Sequence, residues 1–195
     1  QEEMTCPKAE TECSMEVAMP TFHLAFKCEP LTHGDVAIRE EMVADLAAEA
    51  LFGESSELYL RLYEEGVIDS SFGGGFETVD GCAMLLCSGD SDDPRAVREA
   101  ILAQAEKIAA EGLPEKAFLR MKRSALGRRI RGLDSFDSTC FRLCAYHFSD
   151  FDYFRFPEVY RGISAEEICD FLRRAVRAER CSLSVIYPVN KEAQS

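Results

Sequence analysis

The sequence lacks any apolar run that approaches the ~20 residues a membrane-crossing helix needs. It also lacks a positive start: Gln1-Glu2-Glu3 is acidic where a signal peptide requires basic residues. Basic residues are scarce overall, with 22 Lys and Arg against 35 Asp and Glu and a formal net charge of −13. That balance excludes nucleic acid as an expected partner, because phosphates are gripped by cations. No internal repeat and no low-complexity segment divides the chain. The signature of a disulfide framework is missing too, since the nine cysteines are odd in number and irregularly spaced. Cys82, Cys87, Cys140, Cys144, Cys169 and Cys181 lie within apolar patterns, where a reduced Cys behaves as a small hydrophobe. The compartment read from this is reducing, and the expected location cytoplasmic. The missing initiator Met leads us to expect a chain trimmed or excised from something longer.

What is present suffices for a folded domain. The 195 residues are 47% hydrophobic, which argues against disorder and for one large domain with its own core. We expect a linker or frayed start over 1–15, a single domain over 16–188 and a tail over 189–195. A strand is read over 17–28, where Phe22, Leu24 and Phe26 alternate with His23, Ala25 and Lys27. Asp35 is the expected cap of a helix over 36–52, and Ser55 or Ser56 that of a short helix ending at Gly66. Strands follow over 69–78 and 82–88, joined at Asp80-Gly81. Helices are expected over 94–111, from Pro114 to Gly132, and over 136–148. Ser164-Ala165-Glu166-Glu167 is a capping box that opens an amphipathic helix, and 181–187 alternates as a closing strand. Strands this few and scattered do not wind as β-α-β units. They predict an α+β, two-layer domain: one mostly antiparallel sheet covered by helices.

Several of these stretches together resemble the C-terminal, non-catalytic half of insulinase/pitrilysin-type zinc metallopeptidases, the inverzincin group that includes mitochondrial processing peptidase. The stretches are Phe22–Lys27, then Leu51-Phe52-Gly53 running into Glu57-Leu58-Tyr59, then Leu62–Gly66, Ser88-Gly89-Asp90, Arg161–Ile168 and Ser182–Pro188. They occur in the family's order and cover about residues 16–188, with the likeness leaning to the bacterial two-subunit branch. The resemblance implies a processing-peptidase-like domain that is inactive alone and closes a peptide chamber beside a zinc-bearing N-terminal half or a homologous subunit. It leaves homo- and hetero-dimers open. Zinc is then expected in the partner half and no cofactor in this chain. The alternative is an assembly subunit of peptidase ancestry with no substrate role, as in the core proteins of respiratory cytochrome complexes.

Inverzincin chemistry needs two His on one helical face to hold zinc and a Glu as general base. By the resemblance, the ligand positions fall on Asp45 and Glu49 and the base on Ala48, which cannot take a proton. The third family ligand is a Glu some 70–80 residues downstream, where residues 119–131 carry Arg120, Lys122, Arg123, Arg128, Arg129 and Arg131 and no acid. No metal site and no catalytic residue is therefore expected, and Asp45 and Glu49 read as carboxylates on a solvated helix face. The basic helix itself is open to two readings, an acidic partner or Glu-rich neighbours in the same chain. The family's inactive half often supplies an Arg and a Tyr seven residues apart to grip substrate. Here seven on from Arg61 is Ile68, so that pair is broken, and Arg61 and Tyr63 remain as the expected substrate contacts. Cys140, Cys144 and His147 share a helix face with Leu143 and Phe148 and read as core. Gly73-Gly74-Gly75 precedes no Lys-Ser/Thr and reads as a strand loosened for the close approach of another backbone.

Overall fold

A computed structural model describes residues 3–79, 81–148 and 150–189. Gln1, Glu2, Asp80 of the expected turn and residues 190–195 of the expected tail lie outside them. The strands are β1 (Glu10–Met15), β2 (Thr21–Cys28), β3 (Gly73–Val79), β4 (Cys82–Asp90) and β5 (Cys181–Pro188). They form one sheet in the order β1-β5-β2-β4-β3. All neighbours are antiparallel except β1 and β5. The helices are α1 (Gly34–Phe52), α2 (Glu57–Glu64), α3 (Pro94–Glu111), α4 (Glu115–Gly132), α5 (Phe136–His147), α6 (Phe156–Gly162) and α7 (Ala165–Ala175). Among the described residues no helix is long and apolar enough to cross a membrane.

Alternation decides the buried face of the sheet. Phe22, Leu24, Phe26 and Cys28 of β2, Ala83, Leu85 and Cys87 of β4, and Cys181, Leu183 and Val185 of β5 are all buried. Against them pack α1 through Met42, Leu46 and Leu51, α3 through Val97 and Ile101, and α7 through Ile168 and Leu172. Burying one such side chain contributes about 1.5–3 kcal/mol, so this layer contact dominates the stability of the domain.

Local signals set several boundaries. Asp93 accepts from the Ala96 N–H at 3.0 Å, Pro94 opens α3, and Gly112 ends it with φ 84°. At α7 the Ser164 N–H donates to Glu167 Oε2 at 2.8 Å while Ser164 Oγ accepts from the Glu167 N–H at 3.3 Å, completing the expected box. Ser56 rather than Ser55 caps α2, accepting from Tyr59 at 3.0 Å.

Other expectations are corrected. Asp35 does not cap α1: the helix begins at Gly34, whose φ of 63° turns the chain, and Asp35 sits in its first turn. β3 starts at Gly73 instead of residue 69 because the Asp69 carboxylate accepts from the Ser71 N–H at 2.7 Å and holds a turn there. Glu10–Met15, inside the stretch expected as a linker, is an edge strand. Its side chains are nearly all exposed, and Arg95 and Arg98 of α3 hold it by ion pairs to Glu10 and Glu12. The core reading of Cys140 and Cys144 also fails. α5 has no buried residue, both thiols are exposed, and Phe148 is 86% exposed.

Candidate functional site

Helices α1, α4 and α5, the side chain of Tyr160 on α6 and the edge strand β3 surround a cavity of about 900 Å³. From α1, Glu41, Asp45 and Glu49 recur at four-residue spacing and so share one helix face. β3 contributes Gly74, Gly75, Phe76 and Thr78, and it ends the sheet, so it turns the outward half of its backbone N–H and C=O groups away from β4. α5 contributes Phe141, Arg142, Ala145, Tyr146 and Phe148. At Gly74 a Cβ would lie 2.5 Å from the Leu86 carbonyl oxygen and 2.7 Å from the Phe52 ring, so the close approach expected of the three glycines is real there. At Gly73 and Gly75 a Cβ would meet nothing within 4 Å.

The floor of the cavity is a charge network centred on Arg129. Its guanidinium, 11% exposed, donates to Asp45 Oδ2 at 2.8 Å, to Glu41 Oε1 at 3.2 Å and to the Tyr146 hydroxyl at 3.0 Å. It also lies over the Tyr160 ring at 5.7 Å. Tyr146 donates onward to Glu41 Oε1 at 2.5 Å. Beside this, Arg128 reaches Glu49 at 2.8 Å. Burial pushes the Asp45 carboxyl above its ordinary range; Arg129 pulls it back and Glu41 pushes it further up. Burial and the neighbouring Glu41 carboxylate likewise hold the Tyr146 phenol above its ordinary range. Asp45 and Glu49 are thus not on a solvated face, which corrects the sequence reading. Of the two readings of the basic helix, pairing with acidic neighbours in the same chain holds for Arg128 and Arg129.

A family model described as the peptidase M16 inactive domain matches residues 4–125. The chain belongs to that family. It is 27% identical over 182 residues to the zinc protease YmfH of Bacillus subtilis (strain 168), an overlap of 93% of this chain and 42% of that protein. An M16-like peptidase from Alicyclobacillus acidocaldarius superposes with a TM-score of 0.88 at 20% identity, over 96% of this chain and 45% of its own. The inactive peptidase domain of a zinc protease from Bordetella parapertussis superposes with a TM-score of 0.72 at 13% identity, over 92% of this chain and 96% of its own. The chain spans less than half the length of the curated relative it matches.

Zinc does not fit this M16 inactive domain. The two carboxylates at the ligand positions already have guanidinium partners, and the position of the base is the buried Ala48. Among the described residues no three His, Cys, Asp or Glu gather for a metal. Two arginines of α4 supply positive charge beside the α1 carboxylates, and no water-activating chemistry follows from such a pairing.

The substrate contacts expected from sequence lie elsewhere in this M16 inactive domain. Arg61 and Tyr63 are exposed on α2, with Tyr63 stacked on Tyr59 at 5.8 Å, and neither lines the cavity. The residues the cavity does bring together, Glu41, Arg129, Arg142, Tyr146 and Tyr160, carried no sequence signal of their own. The one available hint was the basic run of α4 in an acidic chain.

Proposed function

We propose that this M16 inactive domain forms one wall of a peptide chamber that a zinc-bearing half completes, and that it cuts no peptide itself. The observation that carries this is the open edge of β3 along a cavity of about 900 Å³. An extended peptide satisfies such an edge by adding to it as a further strand, with main-chain hydrogen bonds giving affinity. At Gly75, which lines the cavity, no side chain occupies the space beside that edge. Among the described residues no three metal-ligating side chains gather, and the carboxylates of the site are engaged by Arg128 and Arg129, which supports a role of holding and orienting. The partner half, in the same gene product or another chain, would supply zinc and the activated water.

The test measures anisotropy of a fluorescein-labelled, unstructured peptide titrated with the purified chain, alongside cleavage assays and zinc content by elemental mass spectrometry. Binding without cleavage and without stoichiometric zinc is expected. Cleavage that a chelator abolishes would overturn the proposal. Absence of peptide binding would overturn the chamber and leave the scaffold alternative.

A further inference from the structure

The chamber wall described above has one arginine that touches no carboxylate among the described residues and acts on Asp45 only through space. The cavity is lined by Glu41, Asp45 and Glu49 on one side and by Arg128, Arg129 and Arg142 on the other. Arg129 takes Glu41 and Asp45, and Arg128 takes Glu49. Arg142 is left without a carboxylate at ion-pair distance among the described residues, in a chain with a net charge of −13. Its position is nevertheless fixed. One guanidinium nitrogen donates to the hydroxyl of Tyr153 at 3.0 Å, and the group lies 6.0 Å from the centre of that ring. Tyr153 is 1% exposed, so the anchor is part of the core. A guanidinium carries five N–H donors in a planar fork, and the bond to Tyr153 leaves donors over for a ligand.

Beside Arg142, α5 places Phe141, Ala145 and Phe148 along the same cavity. Their spacing of i, i+4 and i+7 makes one stripe of the helix. Phe141 is 74% and Phe148 86% exposed. Two large rings left this open on the rim of a groove mark a contact surface rather than a failed core. Opposite them runs the open edge of β3.

Resting on the chamber reading, we infer that this groove selects extended peptides in which an acidic side chain neighbours a large apolar one. The apolar side chain lies on Phe141 and Phe148, and the Asp or Glu carboxylate pairs with Arg142. A basic side chain gains less there, because each acid of the groove already has a guanidinium partner and Arg142 repels it.

The experiment uses three short, amidated, fluorescein-labelled peptides that differ at one position beside a Phe: Glu, Gln or Lys. Amidation removes the terminal carboxylate as a competing source of charge. Wild-type chain is expected to bind the Glu peptide roughly tenfold more tightly than the Gln peptide, the size of one charge-assisted hydrogen bond near solvent, and the Lys peptide least. Arg142→Gln keeps a donor for Tyr153 and is expected to erase the preference, while Arg142→Lys restores part of it. Phe141→Ser with Phe148→Ser alters exposed positions and is expected to weaken all three peptides together. Equal binding of the Glu and Gln peptides, or a preference that survives Arg142→Gln, overturns the inference while the chamber reading stands. No binding of any peptide overturns both.

Discussion

Replacing Arg129 with methionine removes the cation under the cavity while keeping most of the side-chain volume. The loss follows from the geometry. Breaking a fully buried pair by deleting one partner costs about 3–5 kcal/mol, because the other charge is stranded. Here Arg129 is 11% exposed but Glu41 and Asp45 are 26% and 36% exposed, so solvent screens the stranded acids. A loss of about 2 kcal/mol at neutral pH is expected, near half the buried figure. The sign of its pH dependence is set by Asp45. That carboxyl is raised by burial above its ordinary value of 3.8, with Arg129 opposing the rise. A carboxyl raised on folding binds its proton more tightly in the native state. Its contribution to stability therefore declines as pH climbs from the ordinary value through the folded one. Without Arg129 the rise grows and the decline reaches to higher pH. Urea denaturation of wild type and Arg129→Met should thus show the full deficit at pH 7 and a deficit about half as large near pH 4. A deficit below about 0.5 kcal/mol, or one that does not change between the two pH values, would refute this account of the network.

Two further outcomes follow from packing and exposure. Gly74→Ala should lower the thermal midpoint at a cost of about 1–3 kcal/mol, since its Cβ would enter the Leu86 carbonyl and the Phe52 ring, whereas Gly75→Ala, with nothing within 4 Å, should be neutral or better; equal effects would sink the distinction. Brief maleimide treatment of the native chain, read by intact mass and peptide mapping, should modify the exposed Cys13, Cys82, Cys140 and Cys144 and spare the buried Cys28, Cys87, Cys169 and Cys181. Burial pushes Cys28 and Cys181 up to about 11 and so suppresses their thiolates. Rapid labelling of Cys28 or Cys181 before unfolding would count against the packing described.

Where local chemistry dictates structure, the sequence was readable. Asp93, Pro94 and Gly112 bracket α3 at the expected residues, and Ser164 with Glu167 opens α7. Other features depend on partners far along the chain. Asp45 and Glu49 meet arginines 84 and 79 residues away, and no spacing rule announces such a pairing. β1 has almost no apolar side to reveal it, being an exposed edge tied by Glu10 and Glu12 to α3. α5 shows the opposite error: the spacing of Cys140, Cys144 and His147 with Leu143 and Phe148 reads as core, but periodicity does not say whether an apolar stripe is covered within the chain, and here it is not. Arg61 and Tyr63 were chosen through a family pattern that this sequence only half keeps, and they sit on α2 away from the groove.

The strand order carries a consequence for how the domain reaches its native state. β5, at residues 181–188, sits between β1 and β2, elements made well over a hundred residues before it. A ribosome therefore releases nearly all of the helices while one flank of β2 is still bare and β1 has no neighbour to pair with. Closure must span separations of more than 150 residues, the kind of contact that slows folding and prolongs the exposure of unpaired strands. Until β5 is laid down, the ion pairs from Glu10 and Glu12 to α3 are, among the described residues, all that can hold β1, which gains its strand neighbour only then.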